Sequence, residues 1–547
     1  MKNYLSDKIT EALSKLDLKS SKIFFDKPKD EKFGDLSSNI ALTLAKELKQ
    51  RPRDIAQNIL AQLEPLIDKK LISKIEVAGA GFLNFYINDT YYLTELSSML
   101  KSGDKYGRSS LNKNKKANLE WVSANPTGPL HTGHGRQVCL GKSIANLLEW
   151  SGFEVTREYY YNDAGNQMHN FALSIRARYE QMSDPAFPFP EEGYVGDYIK
   201  DIANAIFEVR KDDLKGSDDL DVFKKAGESY IFRNIKNVLQ KLGITHDIFF
   251  NESSLYSNGK IDTLIQKFID SGIAYEKDGA LWLKMDESEG FDKDKVIRKN
   301  TGEPTYRLPD MAYHIDKIER GYDLIIDIFG ADHGDTYKEV LYGVRKAGYD
   351  TSNIKVLIHQ MVTLRKGEEL LKMSKRSGNV YSLEELIEDV GADAVQFFFV
   401  MRGINTHLDF DIELAGEKSD KNPVYYLQYA HARICGILRN AAENFKGWSE
   451  ETADLSLLKS IDEINLLKTL SRFPEEVEIS ALTLEPHKII TYLNEAADKF
   501  HKFYHDNRVL DPENKALSAA RLKVCIAAKQ ILQNGFNIIG ISAPERM

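Results

Sequence analysis

A strand, a loop rich in proline and glycine, and a helix follow one another without a break in the later part of this chain's first third. That run limits the available folds more than any other feature. The sequence predicts a strand over Ala117–Ser123, a loop over Asn125–Leu130 and a helix from about Gly133 to Trp150. A second strand, Phe153–Tyr161, and a second helix, Ala164–Glu180, complete a β-loop-α-β-α unit. Strands that alternate with helices imply a parallel α/β sheet. Leu324–Phe329 and Lys355–His359 read as further buried strands of the same sheet.

The flanks read differently. Toward the N-terminus the pattern predicts helices over Tyr4–Leu16, Leu36–Lys49 and Arg53–Leu66, with a loop at Phe25–Gly34. Pro52 stands at the start of the third helix, where a missing N–H costs nothing. Ile75–Ile87 alternates around a glycine pair and reads as a hairpin. The polar run Lys101–Asn118 reads as a linker, and the acidic, proline-rich stretch Met182–Gly196 as a loop. From about Pro423 onward the pattern is helical, over Val424–Glu443, Ile461–Ser471, Pro486–Asp506 and Ala516–Asn534. The expected segmentation is an α+β domain with its linker at 1–110, an α/β domain at 111–422 and an all-α domain at 423–547. A length of 547 residues accommodates three or four domains at about 150 residues each.

Composition narrows the function classes. With 42% hydrophobic and 28% charged residues, the chain is neither disordered nor fibrous. Cys139, Cys435 and Cys525 lie too far apart for a CxxC site or a disulfide framework, which points to a reducing, cytoplasmic compartment. The first twenty residues form an amphipathic helix pattern with no apolar signal-peptide core. The longest apolar run, near Phe397–Met401, is far short of the ~20 residues that a membrane helix needs, so no membrane partner is expected. The net charge of −9 argues against nucleic acid when taken whole. The balance is nevertheless +3 over residues 1–110, −11 over 111–424 and −1 over 425–547, so either end can present a basic face.

Two motifs carry chemistry. The first is Asn125-Pro-Thr-Gly-Pro-Leu-His131-Thr-Gly-His134-Gly-Arg136, where strand passes into helix. The i, i+3 spacing puts His131 and His134 on one side of a helical turn. A helix N-terminus offers partial positive charge and free N–H groups to a phosphate, and Gly133 and Gly135 leave room for a flat base against the backbone. Two imidazoles beside an α-phosphate can stabilise charge that develops during displacement. An HxxH pair can also ligate a metal, although no Cys/His set lies nearby to complete four ligands, or it can be an incidental helix start. Gly141-Lys142-Ser143 ends like a P-loop, and Leu324–Asp327 resembles the strand that accompanies one. The position that needs the first glycine is Arg136, and Lys142 falls within the helical spacing of Val138, Gly141, Ala145 and Leu148.

The second motif, Lys372-Met-Ser-Lys375-Arg-Ser-Gly-Asn379, comes about 240 residues later. Two lysines three apart, with serine and glycine, suit a cationic loop that clamps a polyphosphate during transfer. A solvated charge run is the alternative reading.

Together the motifs resemble the class I aminoacyl-tRNA synthetases. His131-Thr-Gly-His134 is similar to the HIGH signature with Thr for Ile, and Lys372-Met-Ser-Lys375-Arg to KMSKS with Arg for the last Ser. Within the class the chain resembles the arginyl-tRNA synthetases of bacterial type over nearly its whole length. Phe33–Asn39, Ser123–Leu130, Tyr161–Gln167, Tyr275–Trp282, Gly330–His333, Asn422–Tyr426, Gln428–Arg433 and Ala543–Met547 carry that likeness, in order and at family spacing. The chain keeps Lys375, which many arginyl enzymes lack. It has Gly334 after His333, where the family often has a second histidine.

The resemblance implies a Rossmann-like catalytic core, an N-terminal α+β domain that contacts tRNA and a C-terminal all-α anticodon-binding bundle. It implies an arginine–tRNA ligase that uses ATP with Mg2+, L-arginine and tRNA(Arg), and that is mostly monomeric. His131, His134, Lys372 and Lys375 would be catalytic. Pro129, Leu130, Thr132, Gly133, Gly135, Gly330, Asp332, His333, Met373 and Ser374 would bind ATP. Tyr306 and Asp310, in Thr305-Tyr-Arg-Leu-Pro-Asp310, would hold the guanidinium, with Glu120, Ser123 and Asn125 at the α-amino end. Asp310 could instead cap a helix over Met311–Arg320. A guanidinium is distinctive enough to be selected on binding alone, and no segment has the size of an inserted editing domain. Lys27, Lys29 and Lys32 beside Phe33 are the candidate tRNA contacts of the first domain. A P-loop NTPase and a catalytically inactive tRNA-binding paralogue are the alternative readings; the second would be expected to have lost some of the four motif residues.

Overall fold

The computed structural model describes every residue except Ser20, Ser21, Lys29, Ala164, Asp332, His333, Asp335, 372–380 and 446–452. Its contacts divide the chain into two compact units. One comprises Met1–Tyr106, Ile437–Arg472 and Asp498–Gln530; the other comprises Gly107–Gly436, Phe473–Ala497 and Ile531–Met547.

The first unit contains a four-stranded antiparallel sheet in the order Phe25–Asp26, Leu36–Ser38, Phe82–Ile87, Ile72–Ala78. The last two strands are the expected hairpin. Lys2–Ser14, Ile40–Leu48 and Pro52–Leu63 are helices, the last with Pro52 in its first turn. The single helix expected over Leu36–Lys49 is therefore a short strand followed by a helix. Leu36–Ser38 pairs with Phe85–Leu83, and the Ser37 hydroxyl donates to Asn84 Oδ1 at 2.7 Å. Sheet pairing across 47 residues outweighs the local helical period here.

In the second unit five parallel strands stand in the order Ile354–His359, Leu324–Gly330, Lys116–Glu120, Glu154–Tyr161, Ile248–Asn251. The chain runs outward from Lys116–Glu120 to one edge, then returns to fill the other side. The order thus reverses between Lys116–Glu120 and Leu324–Gly330. Ligands of open α/β sheets bind beyond the carboxyl ends of the strands at such a reversal. The motif helix, Thr132–Trp150, leaves from that place.

One close approach seats this helix. The Trp121 indole packs so tightly on Gly141 that a Cβ there would lie 2.2 Å from Trp121 Cγ. Gly141→Ala is expected to cost about 1–3 kcal/mol, the range for overpacking a filled core. A urea melt of the two proteins checks this; equal midpoints would show that the ring can give way.

Gly141-Lys142-Ser143 lies inside the helix. Lys142 Nζ donates to the carbonyls of Leu242 at 2.6 Å and Gly540 at 2.7 Å, and Ser143 Oγ donates to that of Ile539 at 2.9 Å. These groups hold main-chain carbonyls, as a phosphate loop would not. From Pro423 on, the described regular elements are helical: Pro423–Asn444, Ile461–Ser471, Phe473–Thr483, His487–Asp506, Lys515–Ile539 and the short 3₁₀ turn Leu455–Leu457. Phe473–Thr483 is an addition to the expected set.

Candidate active site

The strand Lys116–Glu120 ends earlier than its sequence predicts. Val122 and Ser123 both take positive φ, 73° and 43°. A β-branched residue in that region is strained, and strain of this kind clusters at functional sites. The bend places the Ser123 hydroxyl 2.8 Å from Glu120 Oε1, to which it donates, and Ser123 Oγ accepts from the Tyr160 N–H at 3.2 Å. The following loop is pinned by phenols. Tyr159 donates to the Ala124 carbonyl at 2.7 Å and Tyr198 to that of Thr127 at 2.8 Å. Asn125 donates to Gln167 Oε1 at 2.8 Å and accepts from the Asn162 N–H at 3.3 Å. Pro129 is half-buried and Leu130 buried.

His131 caps the motif helix. Its Nδ1 accepts from the Gly133 N–H at 3.1 Å, and His134 Nδ1 accepts from the His131 N–H at 3.2 Å. The rings stack with centroids 3.8 Å apart. With both Nδ1 atoms accepting, each neutral ring carries its proton on Nε2, so two ring N–H donors stand side by side.

One expectation about this turn needs correction. Its N–H groups are not free for a phosphate: those of Thr132, Gly133 and His134 donate to the Tyr381 carbonyl, His131 Nδ1 and the His131 carbonyl. Both glycines are also packed closely on their Cβ side. A Cβ on Gly135 would meet the Phe399 ring at 2.5 Å, and one on Gly133 the His131 ring at 2.8 Å. Thr132 is fully buried beneath the same turn.

The second motif lies outside the described residues, with Lys372, Met373, Ser374 and Lys375 in it, and so do Asp332 and His333. The residues that follow it are anchored on the first motif. Thr132 donates to the Tyr381 carbonyl at 3.2 Å, Leu383 donates to the Leu130 carbonyl at 2.9 Å, and His131 bridges Ser382. Gly330 ends its strand at the reversal point.

Asp310 lies in the first turn of the helix Arg307–Glu319, not at its cap, which is Tyr306. The capping alternative for Asp310 is thereby set aside. Burial pushes its carboxyl up to about 7, and the carboxylates of Glu120 and Glu252 add to the rise. Tyr306 is 73% exposed, one turn before it.

Sequence reasoning missed two further acids of this cluster. Glu252 accepts from the Tyr160 hydroxyl at 2.6 Å, and burial raises it too. Asp163 accepts from Asn251 Nδ2 at 3.1 Å and the Ser253 hydroxyl at 2.6 Å. Both residues stand just past the carboxyl end of a core strand, and that position was the available signal.

Beneath the pocket Glu158, Glu120 and Asp327 are in register on three adjacent strands. The fully buried Lys317 bridges Glu120 and Asp327; Arg320 holds Glu158 with two bonds of 2.7 and 2.8 Å. Glu120 is buried, with Oε1 accepting from Ser123 and Oε2 from Lys317.

Family models match the chain in three stretches: the arginyl tRNA synthetase N terminal domain at residues 3–87, the catalytic domain of the class I (R) tRNA synthetases at 95–399 and the DALR anticodon binding domain at 427–547. The arginine–tRNA ligase of Salinibacter ruber is 45% identical, with all of both chains covered. That of Chlorobaculum tepidum is 46% identical over 98% of each. The Thermus thermophilus arginyl-tRNA synthetase superposes with a TM-score of 0.78 at 21% identity over the whole of both chains, a likeness of fold.

Proposed function

The chain belongs to the arginyl-tRNA synthetase family, and from that membership we propose that the acidic pocket beyond the central strands holds L-arginine while the stacked histidines act at the α-phosphate of ATP. The activity is that of an arginine–tRNA ligase. The observation that carries the residue assignment is the clustering of three acids, with Glu252 acting on Asp310 and Asp163 on Glu252, where a helix start faces two strand ends. A guanidinium and an ammonium on one ligand suit such a pocket.

In this reading Asp310 takes the guanidinium, with Tyr306 beside it. Ser123 and Asn125 take the α-amino end, and Glu120 orients Ser123. An oxygen of the arginine carboxylate attacks the α-phosphorus, and pyrophosphate leaves. His131 and His134 donate through Nε2 as negative charge grows on the phosphoryl oxygens. Pro129, Leu130, Thr132, Gly133, Gly135 and Gly330 frame the nucleotide. Lys372 and Lys375, with Met373 and Ser374, clamp the departing pyrophosphate; Asp332 and His333 complete the ATP set. A terminal ribose hydroxyl of tRNA(Arg) then attacks the arginyl carbonyl, and AMP leaves. Mg2+ accompanies the triphosphate. Among the described residues no three His, Cys, Asp or Glu side chains are grouped to hold a metal ion.

The tRNA reading of the first domain rests on its basic, aromatic loop. Phe33 is 44% exposed with the Lys32 ammonium 5.0 Å from its centroid, and Lys27 lies close by in sequence. Lys29 lies outside the described residues. Phosphate contacts and base stacking would supply affinity there. No helix among the described residues is long and apolar enough to cross a membrane; the family resemblance is what carries the reading of a cytoplasmic monomer.

Arginine-dependent exchange of pyrophosphate into ATP, with and without tRNA, tests the assignment. An inactive paralogue gives none. A sharper test is pH. Only the Asp310 anion pairs with a guanidinium, and its carboxyl protonates near 7. Arginine affinity is therefore flat above about pH 7 and falls up to tenfold per unit below it. Asp310→Asn should abolish that slope and weaken arginine binding by about 2 kcal/mol. This is the lower end of the range for breaking a charge pair, since part of the pairing energy goes into removing the proton. Calorimetry from pH 5.5 to 8.5 checks both, and an unchanged slope in the variant would remove Asp310 from the guanidinium site.

A further inference from the structure

Arg136, two residues after His134, is wholly buried on the motif helix. Its NH1 donates to the carbonyls of Gln360 at 3.0 Å and Thr406 at 2.7 Å, and its NH2 to that of Gly403 at 2.8 Å. Its hydrogen-bond partners among the described residues are all main-chain carbonyls, and burial lowers its pKa to about 10. A buried charge held by carbonyls alone is a costly choice when the only need is to fill space.

Its acceptors explain the choice. Gln360 links the strands Ile354–His359 and Val362–Lys366; Gly403 and Thr406 lie between the helix Ala392–Val400 and the strand Leu408–Asp411. Val362–Lys366 pairs with Leu408–Asp411 on one side and with Glu369–Leu371 on the other. Glu369–Leu371 ends one residue before Lys372. The Gln360 N–H also donates to the Ile404 carbonyl at 3.1 Å. Arg136 therefore ties the helix that carries the two histidines to both entrances of the small sheet from which the second motif leaves. Three acceptors on two loops match a planar fork of several donors; one ammonium cannot reproduce those directions.

We propose that Arg136 is a positioning residue for arginine activation: its guanidinium sets the small sheet, and hence the root of the Lys372–Asn379 segment, against the histidine-bearing helix. This rests on the reading of the site as one that activates arginine. The Asp310 pocket has no part in the linkage, so arginine binding should not need it. Arginine binding thus separates positioning from general damage.

The test compares the full-length chain with Arg136→Lys and Arg136→Gln. Circular dichroism and melting report folding, calorimetry the arginine Kd, and pyrophosphate exchange kcat and the KM for ATP. The expected result for both variants is a native spectrum, an arginine Kd within twofold of the parent and a kcat at least tenfold lower. Lys, which keeps the charge, should lose less than Gln. A kcat within twofold in Arg136→Lys overturns the proposal. So does failure of both variants to fold, or a loss of arginine binding in step with kcat, because each marks a purely structural role. Absence of exchange in the parent chain would instead overturn the functional reading itself.

Discussion

His134→Ala is expected to lower the turnover of arginine activation by about 10²–10³, with the KM for ATP and for arginine changed only a few-fold. The range is that for removing one preorganised donor to a developing oxyanion. In the proposed reading His134 is such a donor. Its Nδ1 is occupied by the His131 N–H at 3.2 Å, and its ring is stacked at 3.8 Å on that of His131. A neutral ring held this way carries its proton on Nε2. The same substitution removes the acceptor of the His131 N–H in the helix cap, which should cost about 1 kcal/mol of stability. Turnover must be compared at temperatures where both proteins are folded. Single-turnover formation of the adenylate isolates the chemical step. A variant retaining more than a tenth of parental turnover there would remove His134 from the phosphate.

The histidine turn was legible because it is local. A strand, a Pro/Gly loop and a helix start within 20 residues fix the spacing of His131 and His134, and the stacked rings follow from the i, i+3 offset. The hairpin over Ile72–Ile87 and the helices after Pro423 are local in the same sense. Where partners are distant, the reading stopped short. Leu36–Ser38 became a strand through pairing near residue 84, and Lys142 found its carbonyl acceptor 398 residues away. The close packing at Gly135 is also long-range, since Phe399 fills the space on its Cβ side. No spacing rule reports which face of a helical glycine the fold will cover.

The pocket was half legible. Asp310 and Tyr306 came from a short stretch of family likeness; Asp163 sits in another such stretch but was given no role, and Glu252 lies outside all of them. Sheet order gives them meaning, by bringing the ends of Glu154–Tyr161 and Ile248–Asn251 together. The charge network below was invisible for the same reason. Glu120, Glu158 and Asp327 are far apart in sequence and become neighbours only through strand register.

That register is the basis for the largest expected loss of stability, in Lys317→Met. Three carboxylates side by side on a parallel sheet repel one another. Lys317 lies fully buried between two of them, its ammonium on Glu120 and Asp327 and 4.2 Å from the centroid of the Tyr313 ring. Against the upward push of burial, Lys317 and His314 hold Asp327 well below the usual carboxylate range; burial raises Glu120 in spite of Lys317. Methionine fills much the same space without the charge, so the variant leaves two buried acids with one cation fewer. Breaking one side of a buried ion pair costs about 3–5 kcal/mol, and denaturant unfolding should show that loss. The double variant Lys317→Met, Asp327→Asn removes one of the stranded charges and should recover part of it, a coupling of about 1–3 kcal/mol for groups in contact. If the two losses simply add, Lys317 acts by packing alone and the three acids do not need it to fold.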